Sequence, residues 1–163
     1  MEPADQGIIQ AAREAFAADA ALRPAISLRG GEALDGYGEP PVFDATLDEP
    51  VDAYLEAYTF NGLIYLDPAS WRHYLPRLID YCMRHLTDAP GMVAEGLLWS
   101  LRPPDRDPPR LRSLSSDQEA VLVAFLERVA FGEEMAAERD LALQVLEEWW
   151  IPGALCRTGE NDP

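Results

Sequence analysis

Asp67-Pro68-Ala69-Ser70-Trp71-Arg72-His73-Tyr74-Leu75-Pro76-Arg77-Leu78-Ile79-Asp80-Tyr81-Cys82-Met83-Arg84-His85-Leu86 is the stretch on which the fold turns. Aspartate followed by proline is a helix start. The carboxylate accepts from an orphan backbone N–H, and proline at the first helical position gives up no needed donor. Trp71, Leu75, Leu78, Cys82 and Leu86 then recur at the spacing of a helix with one face in a core. Pro76 lies inside that pattern, where it removes one hydrogen bond and meets the carbonyl of Arg72, so a kink or break near Leu75 is expected.

Working outward, Ile8 or Ile9, Ala12, Phe16 and Ala20 predict an amphipathic helix over 5–21, ended by Pro24. Residues 25–47 hold Gly30, Gly31, Gly36, Gly38, Pro40 and Pro41 and read as a long loop, with a short strand at 25–28. Asp48 or Asp52 caps a short helix through Tyr58, and Asn61-Gly62 is a turn signal. The apolar run 63–66 fits a buried strand or an extended lead-in. Beyond the central helix, the sequence predicts a helix over 92–101 and a stiff, extended linker around Pro103-Pro104 and Pro108-Pro109. A helix follows, opened by a capping box from Ser116 to Glu119 and closed by Gly132. A last helix starts at Glu133 or Glu134 and carries Met135, Leu141, Val145, Leu146 and Trp149 on its inner side. The expected fold is a single mainly α domain over 1–156, with five or six helices, two short strands near 25–28 and 63–66, and a disordered tail over 157–163.

The chain has 163 residues, 29 acids and 13 bases, for a net charge of −16. All the bases are arginine, a composition that fits a GC-rich bacterial genome. Uniformly spread, such charge repels phosphate and anionic lipid, which argues against nucleic-acid and membrane partners. The N-terminus lacks the pattern of a signal peptide, so the cytoplasm is the expected compartment. Cys82 and Cys156 are expected to be reduced thiols there. The charge is uneven. Residues 1–66 carry 12 acids and 3 arginines, residues 67–112 carry 6 acids and 7 arginines, and residues 113–150 carry 9 acids and 2 arginines. If any part meets an anion, it is the central third; otherwise its arginines neutralise the acidic segments on either side.

His73, Arg77, Asp80 and Arg84 fall on one helical face, a candidate ligand or anion site at His73, Arg77 and Arg84. Asp80, three after Arg77 and four before Arg84, can equally neutralise that stripe by ordinary intrahelical pairs. No metal-ligand spacing is present: His73 and His85 are twelve apart, Cys82 has no near partner, and the glutamates 133, 134, 138, 147 and 148 lack the ExxH partner of a di-iron bundle. No metal, cofactor or catalytic residue is assigned, because neither GxSxG nor a phosphate-binding glycine pattern occurs. Trp149 and Trp150 are adjacent on a helix and lie about 100° apart. One is expected in the core. The other, Trp150, is the candidate interface anchor, unless it packs beneath the tail.

The segment 66–76, with its Tyr74-Leu75-Pro76, resembles an uncharacterised bacterial family, the domain of unknown function numbered 6714. The resemblance extends to Ile9 through Ala15-Phe16, to Leu114-Ser115-Ser116-Asp117-Gln118-Glu119 through Phe125-Leu126, and to a tryptophan ending the last helix. The Gly/Pro-rich stretch 30–41 departs from it. The resemblance implies no activity and transfers no catalytic residue. The sequence therefore points to a non-enzymatic interaction protein that binds a basic partner through acidic surface, as an immunity or inhibitor protein does. The alternative is a small-ligand or anion-binding domain using the central Arg/His helix. A homo-oligomer seamed by Trp150 and the acidic last helix is also open, although like charge opposes it.

Overall fold

The computed structural model describes residues 1–89, 91–132 and 136–157. Among them are nine helices and no strand: α1 Pro3–Ala15, α2 Ala17–Ala21, α3 Leu28–Asp35, α4 Asp52–Gly62, α5 Pro68–Arg84, α6 Met92–Ser100, α7 Pro109–Arg112, α8 Ser116–Phe131 and α9 Ala136–Val145. Helix α1 packs on α5 and α8, α8 on α9, α9 on α6, and α6 back on α5, so five helices close a ring. Helix α4 lies against α6, and α3 lies against α4 as an outer layer.

Helix α5 supplies much of the core. Asp67 Oδ2 accepts from the Ser70 N–H at 3.1 Å, as the Asp-Pro start requires. Trp71, Tyr74, Leu75, Leu78 and Ile79 are fully buried and join one apolar cluster that runs from Ile9 to Trp150. The Trp71 indole donates to Ser100 Oγ at 3.1 Å, which ties α5 to α6. The expected break at Pro76 does not occur: α5 runs unbroken from Pro68 to Arg84 with the proline buried inside it.

Several expectations are corrected. The two strands near 25–28 and 63–66 are absent; Leu28 begins α3, and Leu63–Tyr65 is one turn of 3₁₀ helix. The single helix over 5–21 is divided at Phe16, whose side chain fills the core while its backbone leaves helical geometry. The extended linker before residue 110 instead ends in a helical turn, α7, that packs on α5 and buries Leu111. The cap of α8 lies one residue earlier than expected. Ser115 Oγ accepts from the Gln118 N–H, and Gln118 Oε1 accepts from the Ser115 N–H. Glutamine serves better than Glu119 because its amide also donates to the Ala15 carbonyl and to Asp19 Oδ2. Gly132 closes α8 as expected. The expected start of the last helix at Glu133 or Glu134, the inner position of Met135 and the tail 158–163 lie outside the described residues.

Three glycines serve packing where turns were expected. Gly30 and Gly31 sit inside α3, and Gly62 ends α4. A Cβ on Gly31 would stand 2.2 Å from the Gly62 carbonyl oxygen, and one on Gly62 would stand 2.3 Å from the Leu28 carbonyl oxygen. The glycines let two helix backbones touch; they do not mark a turn.

Candidate functional site

The predicted Arg/His stripe is in place along α5 but is not an open anion site. Arg84 is bidentate to Asp52 at 2.9 and 2.8 Å and donates to Asp80 at 3.0 Å. Asp80 also receives Arg13 of α1 at 3.0 Å. His73 is half-buried with Nδ1 3.3 Å from the Asp19 carbonyl oxygen. Burial lowers its pKa, and nearby Arg77 lowers it further, so the ring is neutral near pH 7. Arg77 is exposed and has no carboxylate partner among the described residues. His73 and Arg84 are eleven residues apart, roughly 16 Å along a helix, too far to grip one small anion.

The pairing extends over the molecule. Central arginines reach into both acidic flanks: Arg72 to Asp19 at 2.8 Å, Arg84 to Asp52 at 2.8 Å and Arg102 to Glu148 at 2.7 Å. Arg29 pairs with Asp48, Arg128 with Asp5, Arg112 with Asp107 and Arg157 with Glu119. Most of the positive charge is therefore used inside the fold.

Trp150 does not form a surface anchor. It is 5 % exposed, and its indole donates to the Leu101 carbonyl at 2.9 Å. Trp149 is buried too, with the Arg112 and Arg157 guanidiniums over its ring. Both fit inside because residues Leu146–Trp150 form a widened π turn, packed against α8 on one side and held to residue 101 on another.

Cys82 and Cys156 are free thiols. Burial pushes the Cys82 thiol up to about 12, and the charge of Glu138 adds to this. It is a packed apolar side chain, not a nucleophile. Among the described residues, no three His, Cys, Asp or Glu side chains gather in a geometry suited to a metal ion.

Part of the unpaired acidic charge falls in the longest run without a base; Glu14, Glu95, Asp117, Glu127, Asp140 and Glu147 are exposed elsewhere with no ion pair among the described residues. From residue 30 through residue 71 the chain contains no basic residue, and nine acids. Of these, Asp48 and Asp52 are paired with Arg29 and Arg84, while Glu32, Asp35, Glu39, Asp44 and Glu49 have no cationic partner among the described residues. These five sit on α3 and on the connection from α3 to α4.

That connection has no helix or strand, yet it is built tightly. Ser27 Oγ caps α3 through the Gly30 N–H at 3.0 Å. At the other end the Gly38 N–H bonds the Ala33 carbonyl at 2.7 Å and the Tyr37 N–H bonds the Leu34 carbonyl at 3.0 Å. This is a Schellman closure with Tyr37 at φ 60° in the left-handed position that glycine usually fills. Asp48 then anchors the return. Its buried carboxylate takes Arg29 Nε and Nη2, both at 2.9 Å, the Asp44 N–H at 2.8 Å and the Tyr54 hydroxyl at 3.1 Å. Burial alone would raise the Asp48 pKa; the hydrogen bonds from Arg29, the Asp44 N–H and Tyr54 outweigh it and leave the group below the ordinary carboxylate range. What this frame holds outward is apolar as well as acidic: Tyr37 is 100 % exposed, Val42 87 % and Leu47 61 %.

Fold and surface together define an all-helical domain whose arginines are mostly paired within the fold and whose α3–α4 connection is exposed, acidic and partly apolar. The family of unknown function DUF6714 matches residues 4–154, and the chain belongs to that family. The similarity that the 66–76 segment suggested thus covers nearly the whole chain, and the family has no established activity. No curated protein and no solved structure matches it. No helix among the described residues is long and apolar enough to cross a membrane.

Proposed function

We propose that the protein is a non-enzymatic binding protein of the cytoplasm that takes a basic protein partner on its acidic surface, as an immunity or inhibitor protein does. One observation carries this reading. Most of the arginines are spent on ion pairs within the fold, while Asp35, Glu39, Asp44 and Glu49, in a run with no base of its own, are exposed without an ion pair among the described residues; Arg23 reaches this run over the Phe43 ring and not through a carboxylate. Unpaired surface charge of one sign steers an oppositely charged partner and repels phosphate and anionic lipid. The displaced pKa values have structural causes. Those of Tyr74 and Cys82 are raised by burial, and those of Asp52 and Glu148 are lowered first by the arginines that hold them. Burial keeps the first two groups protonated, and ion pairing keeps the second two charged.

Affinity capture from a bacterial lysate at low ionic strength tests the class, with an unrelated protein of equal net charge as control bait. The expected result is a basic protein retained by this chain and not by the control, released as salt rises. Retention of neutral or acidic proteins, or identical retention by both baits, overturns it.

A further inference from the structure

Tyr37 stands out in the molecule. A fully exposed aromatic contributes nothing to the core, and the left-handed backbone at φ 60° disfavours any side chain with a Cβ. Glycine would suit the Schellman position better, and glycines flank it at 36 and 38. Folding thus gives no reason for a tyrosine there. Its surroundings supply one. Tyr65, itself 41 % exposed, donates its hydroxyl to Asp35 Oδ1 at 3.0 Å, and Asp35 is the last residue of α3, two before Tyr37. The exposed Tyr37 thus follows closely in the chain on a surface carboxylate that already receives a second exposed tyrosine. Aromatic faces with an adjacent carboxylate receive guanidinium or ammonium groups. Val42 and Leu47 are further exposed apolar side chains on the same connection, flanked in sequence by Glu39, Asp44 and Glu49.

We propose that the ordered connection 36–47 is the docking site for an arginine- or lysine-rich segment of a partner protein, with a cationic side chain packed on Tyr37 beside Asp35 and the segment's apolar side chains covering Val42 and Leu47. The site rests on the basic-partner reading and locates it. Charge selects the occupant. A second copy of this chain would bring its own base-free acidic edge or a body whose arginines are largely engaged, so like charge opposes it. A small polycation satisfies the carboxylates but leaves the apolar side chains uncovered. A basic peptide segment satisfies both. The buried Asp48 anchor holds the connection in one conformation before binding, which lowers the ordering cost of the complex.

The test is a random 12-residue peptide display selected on the full chain, with the selected peptides synthesised and titrated by fluorescence anisotropy. Variants are Tyr37→Gly, the double variant Val42→Ser/Leu47→Ser, and Asp117→Asn on α8 as a remote charge control. The expected peptides carry Arg or Lys around an apolar residue. Tyr37→Gly and the double variant each weaken them at least about tenfold, as loss of a central aromatic or apolar anchor does, and Asp117→Asn leaves them unchanged. Tyr37→Gly keeps the urea midpoint of the parent or raises it, so its loss of binding is not a loss of fold. Salt-sensitive basic peptides that bind these variants as tightly as the parent overturn this docking site and leave the basic-partner reading standing. Selected peptides without Arg or Lys, or no selected peptides, overturn both. Spermine binding with the affinity and variant profile of the peptides overturns the peptide site in favour of a small-polycation site.

Discussion

Replacing Gly31 by alanine sets two effects of opposite sign against each other. Inside a helix, alanine is favoured over glycine by roughly 0.5–1 kcal/mol, so the substitution gains stability wherever there is room. At Gly31 there is none. The new Cβ would stand 2.2 Å from the Gly62 carbonyl oxygen and 2.9 Å from the Gly62 Cα. The first distance is more than about 1 Å short of an ordinary non-bonded contact. Both neighbours are backbone, so no side chain can swing aside, and α3 must lift from α4. Overpacking of this kind costs about 1–3 kcal/mol, and a backbone clash belongs at the upper end. The net expectation is a loss of about 2 kcal/mol, or about 1 M in the urea midpoint for a slope near 2 kcal/mol/M. Gly7, in α1, is the internal control, because a Cβ there meets nothing within 4 Å. Gly7→Ala should raise the midpoint by the propensity term alone. Urea denaturation followed by circular dichroism reads both. A Gly31→Ala midpoint equal to or above the parent's refutes the reasoning, most decisively if the two variants move together.

Other consequences follow from the buried polar groups. Asp48→Ala removes the partner of Arg29, Tyr54 and the Asp44 N–H at once; breaking a buried pair costs about 3–5 kcal/mol. The amides of 44–48 should lose hydrogen-exchange protection, and unchanged protection contradicts the anchor. The Asp48 pKa is lower in the folded chain than in the unfolded one, so its stabilisation is complete above the ordinary 3.8 and is lost as pH falls through the folded value. Asp48→Asn should abolish that acid step in a pH series of urea midpoints, and an unaltered step counts against it. His73 has the opposite shift for a base: its pKa lies below 6.5 because burial disfavours the cation. Its proton binds the unfolded chain more tightly, so stability declines as pH drops through 6.5. An NMR titration placing the His73 midpoint at or above 6.5 contradicts the buried, neutral ring.

Local signals made much of the fold legible. The Asp67-Pro68 cap and the apolar stripe behind it placed α5 because both act within a few residues. Gly132 was readable as the end of α8 for the same reason. What failed depended on neighbours distant in sequence. Gly30-Gly31 carries the same letters whether it turns the chain or admits another helix, and only the approach of Gly62, some thirty residues on, decides it. Trp149 and Trp150 cannot both face inward from a regular α-helix; the π turn that allows it leaves no mark in hydrophobic spacing. The site was legible in outline. Dividing the charge by segment exposed the acidic flanks and the arginines that serve them, but a boundary at residue 66 diluted the base-free run that starts at residue 30. Asp48 resembles a helix cap in sequence because its partner, Arg29, lies nineteen residues upstream. Tyr37 passed as one more loop residue, since only its backbone conformation and full exposure set it apart.

The outer layer explains how an acidic edge coexists with a stable body. Asp19, Asp52 and Glu148 lie where central arginines reach them, so their charge supports the ring of helices. Glu39, Asp44 and Glu49 lie exposed on the connection beyond α3, where carboxylates meet water without opposing the packing.

The most direct test of this account is the association rate of the protein with the basic partner it captures, measured by stopped-flow as salt rises from about 0.01 M to about 0.15 M, which shortens the screening length from about 30 Å to about 8 Å. The association rate should fall roughly tenfold or more over that range, with a dissociation rate nearly constant. An association rate indifferent to salt would contradict recognition through the acidic surface.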